Sequence, residues 1–252
     1  MRYVRYEWNG QAVYGIEESG TIRPVADLYE QRGREDVPAQ AFEGVRLLAP
    51  CEPTKIVVVG RNYAAHAHEA GREIPIEPMI SIKPATAVIG PGDGIVYPKS
   101  STRVDPEAEL GVVIGRRAHR VPPDSVGEYI LGYTCFNDVT ARDLQRRDTQ
   151  WTRGKGFDTF APIGPWIIPE LHRNDLEVRC LVNGEVRQRS NTSLMLFPVN
   201  VLVSFISHVM TLLPGDVIAT GTPEGIAPMQ IGDEVAVEVE GIGTLANRVV
   251  AE

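Results

Sequence analysis

Acidic side chains stand at alternate positions where one apolar segment of the chain begins. The segment is VDPEAELGVVIG (104–115), and it carries Asp105, Glu107 and Glu109 before it turns apolar. Alternate residues of a β-strand point to the same face of a sheet, so Glu107 and Glu109 share a face and Asp105 lies on that side. A buried charge is costly unless it is paired or bound to a metal. The spacing leaves two explanations open: the acids face water, or a positive group lies between them.

A further acid, Asp138, ends the next strand-like segment, YILGYTCFND (129–138). If the two strands are neighbours, Asp138 completes a carboxylate cluster with Glu107 and Glu109. Three carboxylates without an accompanying His or Cys pattern are ligands typical of a hard divalent cation such as Mg²⁺ or Mn²⁺. An E-x-E pattern is short, and acidic residues are common at strand ends. The spacing alone therefore leaves solvated acids as the alternative to a metal site.

A His–Glu pair lies in GRNYAAHAHEAG (60–71), which we predict to be a loop and a short helix closed by Gly71. His66 and Glu69 are three residues apart and so lie on one face of that helix. A carboxylate beside an imidazole raises its basicity and fixes its tautomer, which makes the pair a candidate general base. The alternative is an ordinary surface pair, and His68, on another face, is assigned to the surface.

Three more segments carry candidate binding groups. Lys155 lies between two glycines, where its ammonium group can reach an anionic substrate or a developing oxyanion; a flexible surface lysine is the alternative. Gln145 follows Asp138 by two helical turns. Thr220 and Thr222 lie in the Gly-rich segment ATGTPEG, where hydroxyl and amide groups can hold a carboxylate; a plain turn is the alternative.

Composition excludes several classes of function. The 252 residues carry a net charge of −8 without a Lys/Arg-rich block, which argues against nucleic acid as a partner. No apolar run reaches membrane-spanning length, and the first ten residues lack the apolar core of a signal peptide. Cys51, Cys135 and Cys180 are few and widely spaced, which is typical of a reducing cytoplasm. Nucleotide-binding glycine motifs and the G-x-S-x-G elbow are absent from the sequence.

The element pattern indicates two units, 1–52 and 53–252. The first has a β-hairpin turning at Asn9-Gly10, a short helix over VADLYEQRG (25–33), and a Pro-interrupted linker that ends near residue 52. The second is rich in short strands, with a hairpin at Asn183-Gly184 and its best helix over 199–212. A shorter helix covers 139–150, where Arg142 and Asp143 are predicted to pair locally. We therefore expect a β-rich α+β fold with a rolled or sandwiched sheet rather than alternating βαβ units.

Seven separated motifs occur in the order seen in one enzyme family. They are GRNYAAHAHE (60–69), SIKPATAVIGPGD (81–93), DPEAELGVVIG (105–115), YTCFNDVTARDLQ (133–145), WTRGKGFDTFAPIGPW (151–166), LVNGEVRQ (181–188) and DVIATGTPEGI (216–226). Residues 53 to 250 resemble the fumarylacetoacetate hydrolase family. The chain is most similar to its compact bacterial members and to the acylpyruvate hydrolase and oxaloacetate decarboxylase branch. The first fifty residues resemble the small N-terminal α/β unit of some bacterial members.

The resemblance implies a rolled mixed β-sandwich, a homodimer, a small-molecule 2-oxo acid as substrate, and Mg²⁺ or Mn²⁺ as cofactor. It assigns the metal to Glu107, Glu109 and Asp138, and catalysis to Lys155 and the His66–Glu69 dyad. It assigns substrate binding to Arg61, Tyr63, Gln145 and Thr222. Asp105 is left either as an acid behind the metal ligands or as a solvated group.

The implied reaction runs through a metal-stabilised enolate of a 2-oxo acid. Hydrolysis of acylpyruvate-type substrates and isomerisation or decarboxylation in homoprotocatechuate degradation both fit. The latter concerns 2-hydroxyhepta-2,4-diene-1,7-dioate and 5-carboxymethyl-2-oxo-hex-3-ene-1,7-dioate. Tautomerisation or decarboxylation of oxaloacetate is a further alternative.

A different class of protein is a non-catalytic binding module that a metal ion stabilises, and such a module would not need His66, Glu69 and Lys155. A phosphoryl-transfer site would need basic residues to steer anions, which an acidic chain provides poorly.

Overall fold

A computed structural model describes residues 1–69 and 71–252, in which the chain forms eighteen strands and four α-helices. The strands are β1 (Arg2–Trp8), β2 (Gln11–Glu18), β3 (Thr21–Val25), β4 (Gln40–Ala41), β5 (Lys55–Gly60), β6 (Met79–Pro84), β7 (Val88–Ile89), β8 (Gly94–Tyr97), β9 (Val104–Asp105), β10 (Ala108–Ile114), β11 (Ile130–Asn137), β12 (Thr140–Ala141), β13 (Ala161–Ile168), β14 (Glu177–Val182), β15 (Glu185–Asn191), β16 (Val217–Ala219), β17 (Glu234–Val239) and β18 (Gly243–Ala251). The helices are α1 (Ala64–Glu69), α2 (Arg142–Arg147), α3 (Thr152–Lys155) and α4 (Val199–Val209). None of the helices described is long and apolar enough to cross a membrane.

Both predicted hairpins are confirmed. Asn9 and Gly10 have φ values of 50° and 74°, and Asn183 and Gly184 have 53° and 79°. Two consecutive positive φ values are what a two-residue turn needs to match the twist of its strands, and Asn-Gly adopts them at low cost. The turns join β1 to β2 and β14 to β15 in antiparallel register.

The short helix predicted over 25–33 is wrong. After β3 the chain makes bends and turns instead. The Asp27 carboxylate accepts hydrogen bonds from the Tyr29 and Glu30 amides, both at 2.8 Å, and Gln31 adopts a φ of 53°. The aspartate thus offers the backbone a local alternative to the helix, and the left-handed residue ends any helical turn. As described, the N-terminal unit contains strands and turns.

The predicted linker 35–53 packs along the first strand. The Glu7 amide donates to the Arg46 carbonyl at 2.9 Å, and the Leu48 amide donates to the Arg5 carbonyl at 2.8 Å. These bonds run beside β1 in the manner of an extra, irregular strand. The segment therefore covers the edge of the small unit rather than hanging free between two units.

Two sheets face each other. The larger runs β4-β3-β2-β1-β13-β11-β10-β16-β5-β6, with β7 joined to β13, and the smaller runs β15-β14-β17-β18-β8. Strands β14, β17 and β18 pack on β10, β11 and β13 of the larger sheet, with a buried apolar core between the sheets. The β-rich α+β sandwich is confirmed. Because β1 pairs with β13, at Tyr3 opposite Ile167, the N-terminal strands extend the large sheet.

Strands β10 and β11 are antiparallel neighbours, as the carboxylate cluster requires. Glu109 lies opposite Phe136, and Ala108 lies opposite Asn137. Every residue of β10 is buried, because Leu110 and Val112 belong to the core between the sheets and Val113 belongs to a second core that includes Leu28 and Cys51 of the N-terminal unit. This strand pair therefore brings the E-x-E segment and Asp138 to the same end of the sheet.

A buried aspartate ties the start of the second unit to this sheet. Asp216, fully buried, accepts from the backbone amide of Thr54 at 3.1 Å, its hydroxyl at 2.7 Å, and the Leu213 amide at 2.8 Å. It also accepts from the backbone amide of Lys55 at 3.2 Å and pairs with the Lys55 ammonium group. A buried carboxylate with this many donors is strongly stabilised where it is, and its partners depend on it.

We expect Asp216→Ala to lower the free energy of unfolding by about 3 kcal/mol, because it leaves several buried donors unpaired. Urea denaturation followed by circular dichroism measures the change. Asp36→Ala is the matched control, since Asp36 is exposed and pairs only with surface Arg34. Equal midpoints for the two variants would show that the Asp216 network does not stabilise the fold.

Candidate active site

The three carboxylates predicted to cluster do so. One oxygen from each of Glu107, Glu109 and Asp138 lies within 4.8 Å of the others, and all three residues are buried. Glu107 stands between β9 and β10, Glu109 is on β10, and Asp138 follows β11. The Asp138 amide donates to the Glu107 carbonyl at 2.9 Å, and the Glu107 amide donates to Asn137 Oδ1 at 3.0 Å. Backbone contacts between the two strand ends thus hold the cluster together.

Two buried ammonium groups share the Asp138 carboxylate. Lys155 Nζ contacts Asp138 Oδ2 and also donates to Glu107 Oε2 and Thr140 Oγ1, both at 3.0 Å. Lys83 Nζ contacts Asp138 Oδ1 and donates to the Val139 carbonyl at 2.9 Å. Lys155 is thus a buried lysine at the carboxylates rather than a flexible surface one.

Asp105 is not solvated. It is fully buried and accepts from Arg103 Nε at 2.9 Å and from Arg142 Nε at 3.0 Å. Arg142 also contacts Glu107 Oε1, so one guanidinium group joins Asp105 to the carboxylate cluster. Asp105 therefore lies behind the candidate metal ligands and holds the arginine that neutralises Glu107.

The predicted local pair of Arg142 and Asp143 is wrong. Pairing of β9 with β12, and a hydrogen bond from the Arg142 amide to the Arg103 carbonyl, place the first turn of α2 over Asp105. Asp143 instead accepts from Ser101 Oγ at 2.6 Å. Adjacent helical residues point in different directions, so the two charges separate to different partners.

Glu109 differs from its neighbours because no cation is bonded to it. Its Oε2 accepts from the Gly221 amide at 2.7 Å, while its Oε1 is buried without a hydrogen-bond partner among the residues described. Gly221 has a φ of 101°, and a Cβ there would lie 2.6 Å from the Asn62 Cβ. Only glycine can bring this amide so close, so the turn after β16 is built to hold Glu109.

The two glutamates of the E-x-E pair have opposite pKa shifts. Burial alone would raise the pKa of Glu107, but the Lys155 and Arg142 charges outweigh it and hold that pKa well below its usual range. Burial and the neighbouring Asp138 and Glu107 charges raise the pKa of Glu109 well above its usual range. Glu109 thus marks the point where the site lacks positive charge.

The residues fit a hard divalent cation. The three donors are carboxylates, the type of ligand that Mg²⁺ and Mn²⁺ prefer, and Glu109 Oε1 is buried without a partner among the residues described. A bound cation would satisfy this oxygen and offset the charge repulsion around Glu109. Glu107, Glu109 and Asp138 are therefore the residues that would hold the cation.

The His–Glu pair also forms. His66 Nδ1 lies 3.4 Å from Glu69 Oε2 on α1, His66 is buried, and a positive charge on its ring would lower the pKa of Glu107. Glu69 additionally accepts from the Gly225 amide at 3.1 and 3.2 Å, which ties α1 to the loop after the T-G-T-P turn. His68 is exposed, as predicted. The dyad therefore lies beside the carboxylate cluster.

Arg61 and Tyr63 of the R-N-Y segment, which precedes α1, lie in different surroundings. Tyr63 is buried, and its pKa is raised by burial and by the nearby Glu109 and Glu224 charges. Arg61 instead donates to the Glu73 carbonyl at 3.4 Å and contacts the Met79 sulfur, so its described contacts are away from the carboxylates. Substrate binding by these two residues stays a prediction.

Asn62, between them, was not singled out from the sequence. Its amide donates to the Thr220 carbonyl at 2.7 Å, and its Oδ1 accepts from the Phe197 amide at 2.8 Å. It is fully buried. Asn62 therefore holds the turn that carries Gly221.

The T-G-T-P turn is tied to β10 through side chains. Thr220 Oγ1 donates to the Leu110 carbonyl at 2.9 Å, and Thr222 Oγ1 donates to the Ala108 carbonyl at 3.1 Å. Gln188, which reaches over from β15, donates to Thr222 Oγ1 at 2.8 Å and accepts from the Ala108 amide at 2.9 Å. Both threonine hydroxyls thus already have partners, and a substrate contact by Thr222 stays a prediction.

Helices α2 and α3 pack closely against each other, and α3 ends at Lys155. Gln145 Oε1 accepts from Arg142 Nη1 at 2.8 Å, and a Cβ on Gly154 would lie 3.0 Å from Gln145. The glycine lets α3 approach α2 so that Lys155 reaches the carboxylates. Gln145 is therefore placed next to the cluster through Arg142, and its substrate role stays a prediction.

A model of one known protein family matches most of this chain. The family model described as "Fumarylacetoacetate (FAA) hydrolase C-terminal" matches residues 55–250. The chain belongs to the fumarylacetoacetate hydrolase family.

Family relatives include enzymes with named reactions. The structure of 5-carboxymethyl-2-hydroxymuconate delta-isomerase from Mycobacterium smegmatis is 46% identical, with a TM-score of 0.92 and full coverage of both chains. Oxaloacetate tautomerase FAHD2A of Bos taurus is 42% identical over 85% of this chain and 72% of its own length. Maleylpyruvate hydrolase from Sphingobium sp. SYK-6, solved with manganese(II) and pyruvate, is 27% identical, with a TM-score of 0.82 and coverage of 100% and 99%. The members named here are thus an isomerase, a tautomerase and a hydrolase.

The opposite environments of the two glutamates predict opposite stability effects in the metal-free protein. Because the pKa of Glu109 is raised on folding, metal-free stability falls as the pH rises above the ordinary glutamate pKa. The depressed pKa of Glu107 contributes stability above that pKa, which is lost as the pH falls. At pH 7 we expect Glu109→Gln to raise the free energy of unfolding by about 1 kcal/mol and Glu107→Gln to lower it by about 3 kcal/mol.

Chemical denaturation in EDTA measures both changes, and repeating it with Mn²⁺ adds a second test. Wild-type protein should gain stability with Mn²⁺, whereas Glu109→Gln should gain little, since a ligand is lost. Equal destabilisation by the two variants without metal would contradict the assignment of Glu109 as the uncompensated carboxylate.

Proposed function

We propose that this protein is a divalent-metal-dependent enzyme that acts on 2-oxo acids by stabilising an enolate. Its reaction is C–C hydrolysis of acylpyruvate-type substrates, or isomerisation or decarboxylation in homoprotocatechuate degradation. The observation that carries the proposal is the cluster of three carboxylates with an uncompensated Glu109, flanked by Lys155 and the His66–Glu69 dyad. The three named relatives act on 2-oxo acids or their enols, so one enolate-stabilising site serves all their reactions.

The residues have separate tasks in this proposal. Bound by Glu107, Glu109 and Asp138, the cation supplies a Lewis acid that draws charge from the 2-oxo oxygen. The Lys155 ammonium group, buried within hydrogen-bond reach of two of these ligands, donates to negative charge that develops on the substrate. Gln145, with Tyr63, Arg61 and Thr222, contributes to binding of the substrate carboxylate and tail.

His66 is proposed as the general base. Its Nδ1 faces Glu69, which leaves Nε2 available to take a proton from water or from the carbon next to the 2-oxo group. Glu69 stabilises the imidazolium that forms, and the Gly225 amide holds Glu69 in place. Proton transfer at carbon alone gives tautomerisation or isomerisation, whereas activation of water gives hydrolysis.

Tautomerisation of oxaloacetate is the second candidate, favoured by the 42% identity to the Bos taurus tautomerase. It uses the same proton transfer but needs no attacking water. A non-catalytic binding module that a metal ion stabilises is the alternative of another class, and the buried His66, paired with Glu69, together with the buried Lys155 argues against it. We further propose a homodimer, as the family resemblance implies, and a cytoplasmic location consistent with the free thiols Cys51, Cys135 and Cys180.

A substrate panel tests the proposal. Acetylpyruvate, 2-hydroxyhepta-2,4-diene-1,7-dioate and enol-oxaloacetate are each followed by enol absorbance with Mg²⁺ and with EDTA, and released pyruvate is assayed separately. Metal-dependent loss with pyruvate from acetylpyruvate indicates hydrolysis, and a change without pyruvate indicates isomerisation or tautomerisation. No metal-dependent change with any substrate, in folded protein that binds Mn²⁺, would contradict an enzymatic function and favour the binding module.

Neighbouring histidines provide a matched pair for the general base. We expect His66→Ala to lower kcat about 100-fold or more on the best substrate of the panel, because the proton acceptor is lost. His68→Ala should keep kcat within about twofold, since His68 is exposed on the same helix. Mn²⁺ affinity should be nearly unchanged in both. A similar kcat for the two variants would rule out His66 as the base.

A further inference from the structure

Lys83 is a fully buried charge that the proposed mechanism does not use. It is on β6, at the edge of the large sheet, and its neighbours Ile82 and Pro84 are exposed. Only four lysines occur in the chain, and Lys83 and Lys155 both contact Asp138. A buried ammonium group is costly to desolvate, so a lysine held here needs a reason beyond packing.

The two lysines hold Asp138 in different ways. Lys155 contacts Asp138 Oδ2 and also donates to Glu107 Oε2 at 3.0 Å, so it joins two of the clustered carboxylates. Lys83 contacts the other oxygen, Oδ1, and is anchored to the Val139 carbonyl at 2.9 Å. Lys83 is therefore bound to the strand end itself through Oδ1, whereas Oδ2 is the Asp138 oxygen that Lys155 contacts.

The charges around the cluster nearly balance before any cation is present. Four buried carboxylates are opposed by three buried cations and the half-exposed Arg103. The acids are Asp105, Glu107, Glu109 and Asp138, and the buried cations are Lys83, Lys155 and Arg142. A divalent cation added to this set leaves an excess of positive charge, which an anionic ligand would neutralise. With Arg103 included, the loaded site has an excess of about two positive charges, and without Lys83 this excess falls to about one.

We propose that Lys83 is a positioning residue that holds Asp138 Oδ1 and retains a positive charge at the loaded site, so that metal affinity is reduced and affinity for a dianionic ligand is increased. This inference rests on the proposed function, because it assumes that the cluster binds a divalent cation and then a 2-oxo acid. Repulsion between Lys83 and the cation weakens metal binding, whereas attraction to the ligand strengthens anion binding.

The opposite changes expected in metal affinity and in anion affinity distinguish this role of Lys83 from a purely structural one. A lysine that only supports packing would, when removed, weaken metal and anion binding together. A lysine that acts through its charge and its hold on Asp138 Oδ1 shifts the two affinities in opposite directions. Oxalate is a suitable probe, because it is a dianion with two adjacent oxygens placed as in the enolate of a 2-oxo acid.

The experiment compares wild-type protein with Lys83→Met and Lys83→Gln by isothermal titration calorimetry at pH 7. Mn²⁺ is titrated into metal-free protein, and oxalate is then titrated into Mn²⁺-saturated protein. We expect both variants to bind Mn²⁺ about tenfold more tightly and oxalate about tenfold more weakly than wild type. Lys83→Gln keeps a hydrogen-bond donor, so agreement between the variants assigns the effect to charge. Lys99→Met is the matched control, because it removes the same charge from an exposed lysine and should change neither affinity.

The other outcomes each overturn the inference. Weaker binding of both Mn²⁺ and oxalate, unchanged affinities, or failure of both Lys83 variants to fold would indicate a structural lysine. Absence of Mn²⁺ binding by the wild-type protein would instead contradict the proposed function, and with it this inference. Binding of Mn²⁺ and oxalate by wild type, with a parallel loss in the variants, would contradict only the role of Lys83.

Discussion

The structure depends on the burial of four carboxylates at the ends of two neighbouring strands. Water cannot solvate them there, so each needs a positive group or a hydrogen-bond donor from the protein. Asp105 takes Arg103 and Arg142, Glu107 takes Arg142 and Lys155, and Asp138 takes Lys155 and Lys83. Within residues 1–69 and 71–252, Glu109 receives only the Gly221 amide, on one oxygen. The second oxygen of Glu109, Oε1, is buried without a hydrogen-bond donor or positive group among the residues described, and this observation indicates a cation site.

The elements around the cluster supply these partners from separate parts of the chain. Lys83 comes from the edge strand β6, Arg142 from α2 and Lys155 from α3, whose approach needs Gly154. Gln188 crosses from the second sheet to hold both the T-G-T-P turn and the backbone of Ala108. The sandwich thus holds the charged groups in fixed positions. Groups that are already in position are what stabilisation of a developing charge requires.

In the proposed function, one set of charged groups serves several related reactions. The groups that would distinguish these reactions from one another lie close to the substrate. In the proposed mechanism, the same carboxylates, cation and lysine would stabilise the enolate whether water, a proton or carbon dioxide is involved afterwards. The His66–Glu69 pair lies on the short helix α1, joined to the Gly225 loop through the Glu69 carboxylate. The relatives named above are an isomerase, a tautomerase and a hydrolase, so the family fold is used for more than one reaction.

The sequence by itself determined the β-rich class, the two Asn-Gly hairpins, helix α4, the E-x-E pair with Asp138 and the His66–Glu69 spacing. These features are local, since they follow from strand alternation, helical spacing and turn chemistry within a few residues. The same rules failed at residues 25–33, where the Asp27 side chain competes with the helix, and at Arg142, whose partner is 37 residues away rather than adjacent. Only the tertiary structure decided that Asp105 is buried, that Lys83, Asn62 and Gln188 support the site, and that Glu109 lacks a cation. Those outcomes depend on long-range strand pairing and on the summed charge of distant residues, which no local pattern contains.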